Sequence, residues 1–147
     1  VGGQAIDLIA AGKVTSYPAA EMDAETLKDM HARKTGALLR AAALLGGIMA
    51  GGDKTTLNAI DAYATDLGLA FQIVDDILDV ESSNEALGKT VGKDAASGKP
   101  TYVSLYGLDT SKQLAADCIR RAKLALATAK LGGLLPEIAD LTINRKS

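Results

Sequence analysis

Tryptophan is absent from the 147-residue sequence, and phenylalanine, cysteine and histidine occur once each. The lone Cys118 cannot form a disulfide within the chain, which favours a reducing compartment, the cytoplasm by default, and a small core residue at this position. One histidine and one cysteine are too few for the usual zinc ligands. No Ser-His-Asp arrangement is indicated, and His31 is interpreted as an exposed or helix-capping residue.

The chain also lacks a surplus of either charge and any long apolar run. Sixteen basic and eighteen acidic residues give a formal charge of −2, so no general cationic field is available and a nucleic-acid partner is not expected. No apolar run approaches the roughly 20 residues that span a bilayer, which argues against stable membrane insertion. Because Val1 opens the sequence inside an apolar pattern, we expect a piece of a longer chain.

The residues that are abundant favour helices. Apolar residues make up 48% of the chain, aromatics only 3%, and β-branched residues are sparse. Apolar positions recur at three- and four-residue steps, which predicts an all-α antiparallel helix bundle in one domain. The predicted helical segments are 4–11, 24–49 with Gly36 as a kink, 55–80, 102–108, 111–131 with Ser111 as its cap, and 136–144. Residues 82–100 show no period and are interpreted as an irregular functional loop.

One helical segment carries a stripe of carboxylates. Gln72, Asp75, Asp76 and Asp79 are spaced i, i+3, i+4 and i+7, so they share one narrow face of a helix whose other faces are apolar. Two carboxylates about 5 Å apart repel by roughly 3 kcal/mol at an effective dielectric near 20. On a mostly buried helix these carboxylates therefore need a cation or must take up protons. A divalent metal is the simpler expectation, and oxygen ligands alone favour Mg²⁺, or Mn²⁺, shared with a diphosphate. The alternative is an exposed acidic stripe on a surface helix.

Basic residues lie near this stripe in the sequence. Lys89, Lys93 and Lys99 alternate with glycines just after it, which suits an anionic oligophosphate, although a merely solvated loop is the alternative. Lys34 and Thr35 supply a further cation and hydroxyl. Taken alone, Lys34 is also compatible with a surface position.

Four motifs in this order, GGQAIDL, HARKTG, FQIVDDILD and LGKTVGKDAASGKPTY, resemble the trans-isoprenyl diphosphate synthases. The resemblance runs nearly end to end and is strongest to the bacterial farnesyl diphosphate synthases, with geranylgeranyl diphosphate synthases close behind. It implies that 1–147 is the C-terminal part of a single isoprenoid synthase domain. The family's first aspartate-rich motif precedes the equivalent of Val1.

The resemblance also implies roles for individual residues. Asp75, Asp76 and Asp79 correspond to the second aspartate-rich motif, which binds the allylic diphosphate through Mg²⁺. The residues expected to serve catalysis at the diphosphate are Lys34, Thr35, Gln72, Lys89 and Lys99. The residues expected to contact substrate or line its cavity are Phe71, Lys93, Gln4, Asp7 and Arg145, the last through a basic tail near isopentenyl diphosphate.

The implied activity is Mg²⁺-dependent condensation of dimethylallyl or geranyl diphosphate with isopentenyl diphosphate, giving a short-chain product such as farnesyl diphosphate. A homodimer is implied, and this chain alone is expected to be inactive. The alternatives are a geranylgeranyl or longer-chain synthase, or a non-catalytic fragment or partner subunit. Terpene cyclases are disfavoured because their second metal motif usually mixes Asn or Asp with Ser and Glu.

Overall fold

The computed structural model describes residues 2–10, 23–87 and 100–145, with the backbone alone for 83–87. Every regular element within these ranges is helical, which confirms the predicted all-α class. The elements are α1 (Gly2–Ala10), α2 (Ala24–His31), a π-helical turn (Ala32–Gly36), α3 (Ala37–Met49), α4 (Lys54–Leu87), α5 (Tyr102–Tyr106), α6 (Leu108–Thr128) and α7 (Leu135–Asn144). No helix in the described ranges combines the length and hydrophobicity that crossing a bilayer requires.

Helix α4 is the central element, and its 34 residues extend over about 50 Å at the usual helical rise. Asp53 caps its start, because the Thr56 N–H donates to Asp53 Oδ1 at 2.8 Å. Helix α3 packs along α4 and is joined to it by residues 50–53 alone, so the two run antiparallel.

Two predictions were wrong, one about the C-terminal end of α4 and one about the start of α6. Residues 82–87 are helical rather than irregular, since no Gly or Pro interrupts them and Glu81 forms a 2.7 Å salt bridge to Lys112 on α6. Residues 88–99 of the predicted loop lie outside the described residues. Ser111 does not cap α6, which begins at Leu108; it is fully buried and donates to the carbonyl of Gly107 at 2.7 Å.

Small side chains let α4 and α6 pack closely. Ala64 and Ala70 on α4 are buried, as are Ala115 and Ala122 on α6. Cys118 lies in the same interface, which confirms its prediction as a core residue, and burial raises the pKa of its thiol. The largest fully buried side chains around this seam are Tyr63, Leu27, Met30, Ile73 and Leu126.

The long helix predicted for 24–49 is present but contains the π-helical turn. The Ala37 N–H bonds to the carbonyl of Ala32, one residue farther back than in an α-helix. Gly36 faces Gly68 of α4 so closely that a Cβ at Gly68 would lie 3.0 Å from Gly36 Cα. The predicted irregularity at Gly36 is thus a widened turn, and it contains Lys34 and Thr35.

Candidate functional site

The predicted carboxylate stripe lies on one side of α4, and the exposure of its side chains increases from Gln72 to Asp79. Gln72 is buried, Asp75 and Asp76 are half-buried, and Asp79 is exposed. In the part of the chain that the structure describes, no three acidic, histidine or cysteine side chains gather closely enough to cage a metal ion. The stripe is therefore a row of possible metal ligands along one face of a helix, rather than a closed metal cage.

Asp75 is held from two sides. Gln72 Nε2 donates to Asp75 Oδ2 at 3.1 Å, and the Arg145 guanidinium pairs with Oδ1. Arg145 also donates to the carbonyl of Phe71 at 2.8 Å, and its guanidinium carbon lies 3.9 Å from the centroid of the Phe71 ring. The structure thus brings four predicted site residues, Phe71, Gln72, Asp75 and Arg145, into one cluster.

Asp76 is held by the segment that follows the undescribed part of the loop. The Tyr102 N–H, in the first turn of α5, donates to Asp76 Oδ2 at 2.8 Å. Burial raises the pKa of the Tyr102 hydroxyl to about 12, with smaller contributions from Cys118, Tyr106 and Asp76. This backbone contact ties the start of α5 directly to the stripe.

His31 is buried, 5% exposed, so its interpretation as an exposed or capping residue is wrong. It follows Leu27 by four residues and therefore shares the core-facing side of α2, a spacing that could have identified it. Its Nδ1 lies 3.0 Å from Gln72 Oε1, its Nε2 lies 3.9 Å from Asp76 Oδ2, and its ring stacks on Tyr102 with centroids 5.7 Å apart.

Lys34 is joined to α1 rather than to the stripe. Its Nζ donates to Asp7 Oδ2 at 2.7 Å, and the Asp7 carboxylate is buried. Gly3 makes this approach possible, because a Cβ there would lie 2.3 Å from the backbone nitrogen of Lys34. Thr35 is half-buried in the π-helical turn, whereas Gln4 is exposed. The predicted residues Lys89, Lys93 and Lys99 lie outside the described residues.

The donor chemistry of the stripe fits magnesium. Mg²⁺ is usually bound by one or two carboxylates and completes its shell with water and substrate phosphates, so it needs no protein cage. Asp75 and Asp76 are adjacent and half-buried, and Asp79 stands one turn beyond Asp75 on the same face. At Asp75 a cation would compete with the Arg145 guanidinium, which pairs with Oδ1.

Comparison with known proteins supports the resemblance drawn from the motifs. Over its whole length the chain is 41% identical to the geranylgeranyl diphosphate synthase of Cyanophora paradoxa, covering 47% of that protein. The geranyltransferase of Helicobacter pylori, complexed with magnesium and isoprenyl diphosphate, matches with a TM-score of 0.71 at 29% identity, covering 97% of this chain and 45% of that one.

A polyprenyl synthase of Caulobacter crescentus CB15, complexed with calcium and isoprenyl diphosphate, gives a TM-score of 0.76 at 25% identity, covering 99% of this chain and 55% of that one. The chain thus spans about half the length of the relatives it matches. The sequence model of one family, described as polyprenyl synthetase, matches residues 1–130. The chain therefore belongs to the polyprenyl synthetase family.

Proposed function

We propose that this chain forms the diphosphate-binding wall of a magnesium-dependent prenyltransferase, which condenses an allylic diphosphate with isopentenyl diphosphate. The observation that carries the proposal is the presentation of Asp75 and Asp76, adjacent and half-buried, on the central helix of a polyprenyl synthetase fold. The names of the solved relatives, which include a complex with magnesium and isoprenyl diphosphate, support the same ligand class.

Asp75, Asp76 and Asp79 would hold the magnesium, which supplies charge neutralisation for the departing diphosphate when bound. Lys34 supplies a cationic donor for the same diphosphate: its side chain is partly exposed, at 29%, and its ammonium pairs with Asp7. Phe71 contributes an aromatic face that already stacks on a guanidinium at 3.9 Å, a geometry that stabilises positive charge.

The proposed product is a short-chain diphosphate. Farnesyl diphosphate stays a prediction from the sequence, and the name of the Cyanophora relative favours geranylgeranyl diphosphate as a second candidate. Analysis of the dephosphorylated products by chromatography would separate the two.

We also propose that residues 1–147 do not turn over by themselves. Charge sharing around a diphosphate with several Mg²⁺ ions needs carboxylates on facing helices, and the sequence contains one aspartate-rich stripe. Helix α3 exposes a row of large apolar side chains, with Met49 84% and Leu38 77% exposed, and these favour a covering partner such as a second copy. Robust turnover by a monomer of Val1–Ser147 would contradict this proposal.

The binding test uses the protein as its gene encodes it, titrated calorimetrically with inorganic pyrophosphate in the presence of Mg²⁺. Asp75→Asn should weaken binding at least about tenfold and remove most of the pyrophosphate-induced rise in melting temperature. Asp117→Asn is the matched control, because Asp117 pairs with Arg120 on the exposed side of α6. Equal binding by both variants would remove Asp75 from the proposed site.

A further inference from the structure

His31 lies where the two helical segments of the candidate site meet. It ends α2, three residues before Lys34, and its ring reaches α4 at Gln72. Two routes of contacts connect this buried ring to the half-buried carboxylates. Gln72 connects it to Asp75, and Tyr102 connects it to Asp76.

The first route has a defined direction. The Asp75 carboxylate only accepts hydrogen bonds, so the Gln72 group at 3.1 Å from Asp75 Oδ2 is the amide nitrogen. The amide oxygen of Gln72 then faces His31, and because an amide oxygen also only accepts, Nδ1 of His31 carries the proton of the 3.0 Å bond. A chain of donors therefore runs from His31 through Gln72 to Asp75.

The second route uses packing and backbone. The His31 ring stacks on Tyr102 with an interplanar angle of 22°, and the Tyr102 N–H donates to Asp76 Oδ2 at 2.8 Å. His31 Nε2 itself lies 3.9 Å from the same Asp76 oxygen. One buried ring thus adjoins the groups that fix Asp75 and those that fix Asp76.

We propose that His31 is a positioning residue, which orients the Gln72 amide and the start of α5 so that Asp75 and Asp76 are preset for the cation and its diphosphate. This inference rests on the proposed function. Replacing the outer hydrogen-bond partners of metal-ligating side chains typically weakens metal affinity 10- to 100-fold, because these partners fix the ligands before the ion arrives. A ring that only filled the core would leave that affinity unchanged.

The variants separate orientation from packing. His31→Phe keeps a ring that can stack on Tyr102 and removes the donor to Gln72, whereas His31→Asn places an amide N–H near the position of Nδ1. Gln72→Met breaks the same route at its next member and keeps the length of the side chain. Tyr63→Phe is the control, because it removes one buried donor, the 2.8 Å bond to the carbonyl of Leu135, away from the stripe.

Each variant is made in the protein as its gene encodes it and titrated calorimetrically with Mg²⁺ and inorganic pyrophosphate, with the melting temperature measured in parallel. His31→Phe and Gln72→Met should each weaken binding roughly 10- to 100-fold. The double variant should be no weaker than either single one, because both break one route. His31→Asn should recover most of the affinity, and Tyr63→Phe should lower the melting temperature without changing the affinity.

Wild-type affinity in His31→Phe, with binding weakened at least about tenfold in Asp75→Asn, overturns the role of His31 and leaves the proposed function standing. Absence of Mg²⁺–pyrophosphate binding in the wild type overturns both. If His31→Phe does not fold, His31→Met takes its place, because it fills the core and cannot donate to Gln72: unchanged affinity overturns the inference, and a loss of roughly 10- to 100-fold supports it. Unchanged affinity in Gln72→Met overturns the inference as well.

Discussion

The Arg145 guanidinium forms a hydrogen-bonded ion pair with the carboxylate of Asp75, seventy residues earlier in the chain. The same guanidinium covers the face of Phe71, so the end of the described chain closes over one end of the carboxylate stripe. Asp75 is also the first aspartate of the proposed magnesium site. A guanidinium and a metal ion cannot share one carboxylate at short range without repelling, so the two compete for Asp75.

Arg145→Gln should therefore strengthen Mg²⁺–pyrophosphate binding. The Asp75 side chain is 41% exposed, and ion pairs of this exposure are worth up to about 1 kcal/mol, which corresponds to a gain of about two- to fivefold. Calorimetric titration measures the change, with Arg120→Gln on the exposed face of α6 as the matched control. Weaker binding in Arg145→Gln would instead favour the interpretation from the sequence, in which this residue contacts substrate.

Gly3 allows α1 to reach the π-helical turn, and Gly3→Ala should disrupt this contact. The new Cβ would lie 2.3 Å from the nitrogen and 2.6 Å from the Cα of Lys34, and backbone atoms cannot rotate away. We expect a loss of about 1–3 kcal/mol in the free energy of unfolding. Chemical denaturation measures it.

Gly2→Ala is the control for Gly3→Ala. It makes the same substitution one residue earlier in α1, where a Cβ meets nothing within 4 Å. Since alanine favours helices, this variant should be neutral or slightly stabilised. Equal losses in the two variants would mean that α1 does not depend on the close contact at Lys34.

Periodicity predicted the existence of the helices, because apolar residues at three- and four-residue steps report directly which side of a helix is buried. It did not predict the last turns of α4 at 82–87 or the start of α6 at Leu108. The stripe from Gln72 to Asp79 could be placed on one face for the same reason. The partners of that stripe could not be predicted. Contacts such as Arg145 with Asp75 and His31 with Gln72 join residues 70 and 41 positions apart, and local spacing carries no information on such pairs.

The ionisation of Tyr102 should lower the free energy of unfolding as the pH rises into the alkaline range. Burial raises the folded-state pKa from 10.0 to about 12, so the neutral phenol favours the folded state. Its contribution is fully present below pH 10 and is lost as the pH rises from 10 to about 12, because only the unfolded state ionises in that window. Tyr102→Phe should lack this part of the decline, measured by denaturation at several pH values; an identical decline in both proteins would contradict the assignment.

Lys34 is predicted to act on the diphosphate as well as to pair with Asp7, and a double substitution separates these roles. Lys34→Met removes the ammonium and leaves the buried Asp7 carboxylate without this cation, which should cost about 1–3 kcal/mol of unfolding free energy. Asp7→Asn in the same protein removes that charge, so the double variant should regain part of the lost stability.

Turnover should not return, because the missing electrostatic stabilisation of the leaving diphosphate is worth about 10²- to 10³-fold in kcat. The measurements are chemical denaturation and prenyl product formation in the protein as its gene encodes it, with Asp7→Asn alone as the reference. Restored turnover in the double variant would show that Lys34 serves only to hold α1 against the π-helical turn.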